Sequence, residues 1–370
     1  MRYIVKEFDK PLLIFSADMN SSNSNLQIEK IYEENDAFFP LNLTVSNGGL
    51  ESWLKHRVIP KNRAYVDALL SKTGLSANRP LGIIAVCKGL SLNDCYWVDS
   101  ADNESSFAKV NLYDNRFSTI LASIAFTGYG SSVRSSLFSS PEFSTNGMLP
   151  KCWRRINGKI YLYKGGTSGF SNTGFEPYSE LYAYQIAKAM EINAIRYTLT
   201  KDLKKSLCSK CELFTSKDYS YMPIGQLVRK GNMEAIREYY QTLGQSFVDA
   251  LDDMIIFDAL ICNVDRHLGN FGVLVNNVTN QIEKPAPLFD HGNSLFSLGG
   301  LDLWNNETAF HEYVETLVPV AYDDFLDEAR KVMQLRHHKM LRQLLNFSFD
   351  RRASRYNLPT NRLAMIEREV

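Results

Sequence analysis

Residues 263–270 read Asn-Val-Asp-Arg-His-Leu-Gly-Asn, and residues 288–292 read Leu-Phe-Asp-His-Gly. Asp265 is followed five positions later by Asn270, and Asp290 comes twenty residues after that. Phosphoryl transfer from a nucleotide needs such a set: an acid facing the acceptor hydroxyl, with an amide and a second carboxylate holding a metal ion on the phosphates. Asn270 and Asp290 offer hard oxygen donors, which suit magnesium better than zinc. Asp265 is the candidate base. Because the transition state is loose, its task is to orient the hydroxyl, and no large pKa shift is required of it.

A lysine at the end of a strand can present its ammonium to phosphate oxygens while its stem rests on apolar neighbours. Lys164 stands so, closing the alternating run Lys159-Ile160-Tyr161-Leu162-Tyr163 and opening the glycine-rich Gly165-Gly166-Thr167-Ser168-Gly169. It needs a carboxylate to direct it, and the next helix offers Glu180 beside apolar Leu181, while Glu176 before Pro177 is read as a cap. Arg266 and His267 can stabilise phosphate charge or brace the loop, and bracing is the expectation for His267. The four carboxylates Asp249, Asp252, Asp253 and Asp258 lie largely off an apolar stripe and read as a solvated face.

The elements that must position these groups follow from pattern. Leu243, Phe247, Leu251, Met254 or Ile255, and Ile261 recur at three- and four-residue intervals, predicting one long buried helix that stops at Cys262-Asn263. Asn157-Gly158 signals a hairpin turn before the Lys164 strand. A helix over 176–190 and strands over 194–200 and 206–214 complete a small mixed lobe. Three further helices are expected near 322–334, 336–346 and 360–369. In the amino-terminal third, helices are expected over 62–70 after Pro60, and over 81–88. The polar run 20–25 and the serine-rich stretch leading to Ser144 read as loops.

The chain of 370 residues is long enough for two or three cores, and 45% hydrophobic with 22% charged residues is ordinary for a globular protein. With 41 basic and 41 acidic residues, no global footprint for nucleic acid or anionic membrane is evident, so direct nucleic-acid binding is not expected. Residues 51–90 carry seven Lys or Arg against two acids, and 91–115 are acidic; a helical face paired with its neighbouring segment is expected rather than a nucleic-acid patch. No signal-like or membrane-spanning apolar run is present, and a cytoplasmic location with no membrane partner is expected. Six scattered cysteines suit reduced thiols. Cys208 and Cys211 alone have metal-like spacing, with no second pair to complete four ligands, and are read as lining a strand.

The loop Asn263-Val264-Asp265-Arg266-His267-Leu268-Gly269-Asn270 with a following Asp290 resembles the HipA-like serine/threonine kinases, including the CtkA-type kinases, which share it with phosphoinositide 3-kinase-like atypical kinases. The resemblance implies Asp265 as catalytic acid, Asn270 and Asp290 as magnesium ligands, Lys164 as the phosphate-binding lysine and Glu180 as its helix partner. Ser144-Thr145-Asn146-Gly147-Met148-Leu149-Pro150-Lys151 is similar to the family's phosphate loop. That makes Ser144, Gly147 and Lys151 candidate nucleotide contacts and Ser144 a candidate regulatory autophosphorylation site, with Thr145, Ser140 or Ser139 as substitutes. A dianion on a loop that covers ATP phosphates would repel them, whatever the family. The good match covers roughly residues 140–295.

The expectation is therefore an α+β, bilobal protein-kinase-like fold: 1–110 an amino-terminal extension, 111–224 a small mixed-sheet N-lobe and 225–370 a mainly helical C-lobe. A hinge near Glu212-Leu213-Phe214 would meet the adenine edge. The implied function is ATP- and magnesium-dependent transfer to a serine or threonine of a protein substrate. Resemblance also implies a place in a toxin–antitoxin pair, with a small antitoxin-like partner. The rival readings are an AMP transferase, a small-molecule kinase, and a catalytically silent repressor or scaffold binding DNA or a protein.

Overall fold

The computed structural model describes residues 1–19, 25–132, 140–169, 173–201, 206–228 and 231–370. Most of the expected loop at 20–25, part of the serine-rich stretch and the substitute site Ser139 lie outside the described residues. Contacts divide the chain into two compact units: Met1–Leu162 with Thr215–Tyr221 and Val275–Glu283, and Tyr163–Phe214 with Met222–Leu274 and Lys284–Val370. This division does not follow the limits 110 and 224 drawn from the sequence, because it falls inside a strand and gives two short segments from later in the chain to the first unit.

The first unit is built on an antiparallel sheet that the sequence pattern did not reveal. Strands β1 (Arg2–Glu7), β2 (Lys10–Ser16), β3 (Gln27–Ile31) and β4 (Tyr96–Ser100) lie in the order β3-β2-β1-β4. The turn joining β1 to β2 puts Phe8 at φ +50, and Leu12, Leu13 and Phe15 of β2 are fully buried. Packed with the sheet are α1 (Asn47–Lys55), α2 (Val66–Lys72) and α3 (Pro80–Cys87), whose Leu50, Leu54, Leu69 and Ile84 join its core. The short α4 (Phe107–Val110), then α5 (Thr119–Thr127), follow. Helix α2 starts at Val66 rather than at residue 62, because Tyr65 takes a left-handed φ of +60 and residues 60–66 form hydrogen-bonded turns. The basic segment pairs with the acidic one as expected: both terminal nitrogens of Arg57 donate to Asp94 at 2.8 Å, and Lys88 donates to Asp99 at 2.6 Å.

Strand β5 (Lys151–Ile156) turns through Asn157 and Gly158, both at positive φ, into β6 (Lys159–Gly165). The end of β6 belongs to the second unit, where β6, β8 (Leu207–Glu212) and β7 (Tyr197–Lys201) lie side by side in that order. Cys208 and Cys211 line β8, both buried and neither in a disulfide. Helix α6 (Glu176–Ala189) precedes β7. Strand β9 (Tyr219–Pro223) leads into α7 (Met233–Leu243) and α8 (Gln245–Ile261). The expected single long helix is thus two: Gly244, at φ +117, breaks it, and Leu243 ends α7. Strands β10 (Gly272–Asn276) and β11 (Gln281–Pro285) follow, then α9 (Glu307–Glu315), α10 (Phe325–Val332), α11 (Leu335–Arg342) and α12 (Thr360–Glu369). The last three match the expected carboxy-terminal helices: α10 is shorter at both ends, α11 ends earlier, and α12 has the expected bounds. Among the described residues no helix is long and apolar enough to cross a membrane.

Candidate phosphotransfer site

Helix α8 delivers the candidate loop 263–270. It closes at Cys262, which adopts the left-handed conformation (φ 48, ψ 55) and turns the chain into Asn263. Asn263 is fully buried; its amide nitrogen donates to Asp258 at 3.0 Å, and its oxygen accepts the Asp265 N–H at 3.2 Å. The Asp265 carbonyl accepts from His267 N–H at 2.8 Å and from the Asn270 side-chain nitrogen at 3.2 Å. The loop is therefore a closed set of bonds, and the Asp265 carboxylate is aimed by a donor on another segment, the Asn293 amide at 3.0 Å. Asn293 was missed by sequence reasoning, although it stands three residues after Asp290.

Arg266 is the brace. Its side chain is wholly buried, and it donates to both oxygens of Asp258 at 2.8 and 3.0 Å. It also donates to the carbonyls of Asn270 at 3.1 Å and Phe289 at 2.6 Å. One planar fork thus ties the backbone at Asn270 to the residue before Asp290, so two separate loops are held by one support. Its last contact is His291 Nδ1 at 3.0 Å. A guanidinium only donates, so Nδ1 accepts and the imidazole is neutral. Burial, then the Arg266 charge, hold His291 far below its usual pKa. His267 is exposed and accepts the Gly269 N–H at 3.1 Å, the bracing role expected of it.

The reading of the four α8 carboxylates as a solvated face is corrected here. Asp252 and Asp258 are 1% and 0% exposed. Asp252 pairs with Arg237, Asp253 with Arg336 and His337, and Asp258 with Arg266. Only Asp249 keeps an exposed side chain, 3.7 Å from Arg336. An acid off the apolar stripe of a helix can still be interior when an arginine from another element meets it.

The second half of the site gathers around Lys164. Its ammonium donates to Glu180 Oε1 at 2.8 Å and to the Asp290 carboxylate. Glu180 is fully buried one turn inside α6, and its other oxygen accepts the His291 N–H at 2.8 Å, so it fixes both the lysine and the Asp290 loop. Burial pulls the Lys164 ammonium down, but Asp290 and Glu180 more than reverse this and hold it above its ordinary range. The lysine is a permanent cation. Asp290 itself sits at φ +60 with its N–H on the Tyr197 hydroxyl at 3.2 Å, an unusual conformation for a residue with a Cβ. Glu176 does not cap α6; it accepts the Thr167 N–H at 3.1 Å and so secures the glycine-rich turn after Lys164. Gly292 is needed for close approach, since a Cβ there would lie 3.3 Å from Glu176 Cβ and 3.5 Å from Lys164 Nζ.

The donor set fits a hard divalent cation. The Asn270 amide nitrogen is committed to Asp265, which turns its oxygen to the opposite edge, and the Asp290 side chain is 30% exposed. Asn270 and Asp290 are the residues that would hold magnesium. Among the described residues no group of three or more His, Cys, Asp or Glu is placed to hold a metal ion, and asparagine oxygens fall outside that set. At the proposed hinge, Glu212 ends β8, and the Phe214 ring lies 5.4 Å from that of Phe289, next to Asp290.

Lys164, Glu180, Asp265, His267, Asn270, Asp290, Glu212 and Phe214 all belong to the second unit, and Ser144, Gly147 and Lys151 to the first. In the first unit Ser144 is 8% exposed, its hydroxyl donating to the Pro141 carbonyl at 3.4 Å. Gly147 is at φ +91, and a Cβ on it would meet the Lys151 ammonium at 2.1 Å, so lysine and glycine are adjacent. Ser140 is buried, and Thr145 donates to the Pro141 carbonyl at 2.6 Å.

The chain has a HipA-like, bilobal kinase-type α+β fold. A chain of the Shewanella oneidensis MR-1 toxin–antitoxin complex of HipA, HipB and its operator DNA superposes with a TM-score of 0.52 at 12% identity, over 99% of this chain and 94% of that one. The Helicobacter pylori proinflammatory kinase CtkA is similar with a TM-score of 0.45 at 16% identity, over 59% of this chain and 88% of its own. By sequence, no family profile and no curated protein matches.

Proposed function

We propose that this chain is an ATP- and magnesium-dependent serine/threonine protein kinase of the HipA-like type. The observation that carries the reading is the pair of linked constellations in the second unit: Lys164 held between Glu180 and Asp290, and Asp265 held by Asn263 and Asn293 with Asn270 bonded to its carbonyl. Bound nucleotide with its metal supplies the transferable γ-phosphoryl group and charge neutralisation. This chain's residues do the rest. Lys164 directs its ammonium to phosphate oxygens, and Glu180 keeps it in place. Asp265 accepts the hydrogen bond, and then the proton, of the acceptor hydroxyl as that oxygen bonds to phosphorus and the bond to the ADP oxygen breaks. Asn270 and Asp290 would hold the metal. Assigning Ser144, Gly147 and Lys151 to the phosphates, Ser144 to self-phosphorylation, and Glu212 and Phe214 to the adenine edge rests on the sequence resemblance. So does a small antitoxin-like partner; the Shewanella protein is seen with HipB and DNA, and both are candidate ligands to test here.

The test is the intact mass of purified protein before and after ATP and magnesium, with Asp265→Asn and Asp290→Asn alongside. The expected result is a gain of about 80 Da per phosphoryl group in the parent or in an added protein acceptor, and none in either variant. Retained turnover in both variants would sink the assignment. An adenylyl-sized gain would establish nucleotide transfer instead.

A further inference from the structure

The loop of residues 144–151 is held by a side chain that lies eighty residues earlier. Arg63, 2% exposed, reaches both limbs of the loop. On the entry limb its NH1 donates to the carbonyls of Glu142 at 3.0 Å and Thr145 at 3.2 Å. Its NH2 donates to the Glu142 carboxylate at 3.2 Å and, on the exit limb, to the Lys151 carbonyl at 2.6 Å. Glu142, fully buried, extends the bridge, because its other oxygen accepts the Trp153 N–H at 2.9 Å. The segment carrying Arg63 adds two backbone bonds: Ile59 N–H to the Phe143 carbonyl at 2.6 Å and Ala64 N–H to the Met148 carbonyl at 2.8 Å. Within the loop, the Trp153 indole donates to the Thr145 hydroxyl at 2.9 Å.

We infer that Arg63 is the positioning residue of this loop. The planar fork holds the entry and exit limbs at a fixed separation, which keeps Gly147 against the Lys151 ammonium and so sets the affinity for nucleotide phosphates. The amino-terminal segment is then part of the nucleotide machinery and not an appendage. The affinity half of the inference rests on the proposed kinase reading; the structural half does not. Lysine cannot replace Arg63, since a single ammonium lacks the planar fork that reaches both limbs. Removing Arg63 alone would also strand the Glu142 carboxylate without its partner, and the unit could fail to fold for that reason. The double variant Arg63→Met/Glu142→Gln removes both charges and leaves no buried ion unpaired, so it isolates the loss of the staple.

The experiment is hydrogen–deuterium exchange of the full chain without nucleotide, followed over peptides spanning 142–153 and over β1–β4, together with titration by ATP and magnesium. In the double variant the loop amides should exchange about tenfold faster or more while the sheet keeps its parent rates, and Arg63→Lys should fall between. ATP affinity should weaken about tenfold in the double variant, with a smaller loss in Arg63→Lys. Parent-like exchange of the loop in a double variant whose sheet is protected would overturn the staple. Weakened loop protection with unchanged ATP affinity would overturn the link to nucleotide. A parent protein that binds no ATP would remove that link and the kinase reading together, with the exchange result still deciding the staple.

Discussion

Asp258→Asn is the most informative single perturbation of the support under loop 263–270. In the structure Asp258 is fully buried and meets Arg266 through two bonds at 2.8 and 3.0 Å, with Asn263 as a third donor at 3.0 Å. Neutralising it leaves a buried guanidinium with a neutral amide, two carbonyls and an imidazole. Breaking one partner of such a buried pair costs about 3–5 kcal/mol. For a folding unit of this size each kcal/mol lowers the melting temperature by about 2–4 °C, so a drop of about 6–20 °C is expected. A solvated carboxylate, as the helical pattern suggests, would cost less than about 0.5 kcal/mol. The assay is scanning calorimetry, with native-state hydrogen exchange over residues 258–270 to assign the transition, because a chain of two units need not unfold in one step. Arg266→Met should cost a similar amount. The double variant should cost well below the sum of the two, since neither charge is then left unpaired. A loss under about 0.5 kcal/mol for Asp258→Asn, or strict additivity in the double variant, would refute the brace.

Two further outcomes concern groups away from this pair. Burial pushes the Glu7 carboxyl up from 4.5 to about 7, with Lys10 3.6 Å away opposing it. A carboxyl raised in the folded state favours the protonated form. Its contribution is therefore full below about 4.5 and is lost as pH rises toward 7, so Glu7→Gln should flatten the pH dependence of first-unit melting in that window; an unchanged slope would count against it. Gly272→Ala should destabilise by at least about 1–3 kcal/mol because its Cβ would meet the Met222 carbonyl oxygen at 2.1 Å. Gly48→Ala in α1, with nothing within 4 Å, should be neutral or stabilising by up to about 1 kcal/mol. Equal melting shifts in the two would show that β10 has room the structure denies it.

The candidate loop 263–270 and Asp290 were legible because their chemistry is local. Asp265, Asn270 and Asp290 announce themselves by residue type and spacing, and the run from Lys159 to Lys164 followed by glycines reads as a strand and turn. Lys164 and Glu180 were legible as partners only beside the downstream motif, since a strand-end lysine by itself is more often merely exposed. The amino-terminal sheet was not. Its β2 is a continuous apolar run rather than an alternating one, buried from Leu12 to Phe15, and such a run cannot be told from a buried helix by period alone. A break at Phe8-Asp9 between two short apolar runs was the signal available. Arg63 and Asn293 were invisible for another reason: each acts on a segment that only the fold brings to it.

The misreading of the α8 carboxylates shows what periodicity leaves out. It assigns a face by the average polarity of the positions on it, so four acids outvote the geometry. What decides burial is whether a cation from another element arrives to meet each acid. Arg266 stands eight residues after Asp258, across the turn at Cys262, and its fork is satisfied by Asp258, Asn270, Phe289 and His291 together. The arginine in the sequence Asp-Arg-His is thus too fully engaged to face phosphate. Lys164, by contrast, is held as a cation by Asp290 and Glu180. Arg266 is wholly buried and braces the loops, while Lys164 contacts Asp290, a side chain that remains partly open to solvent.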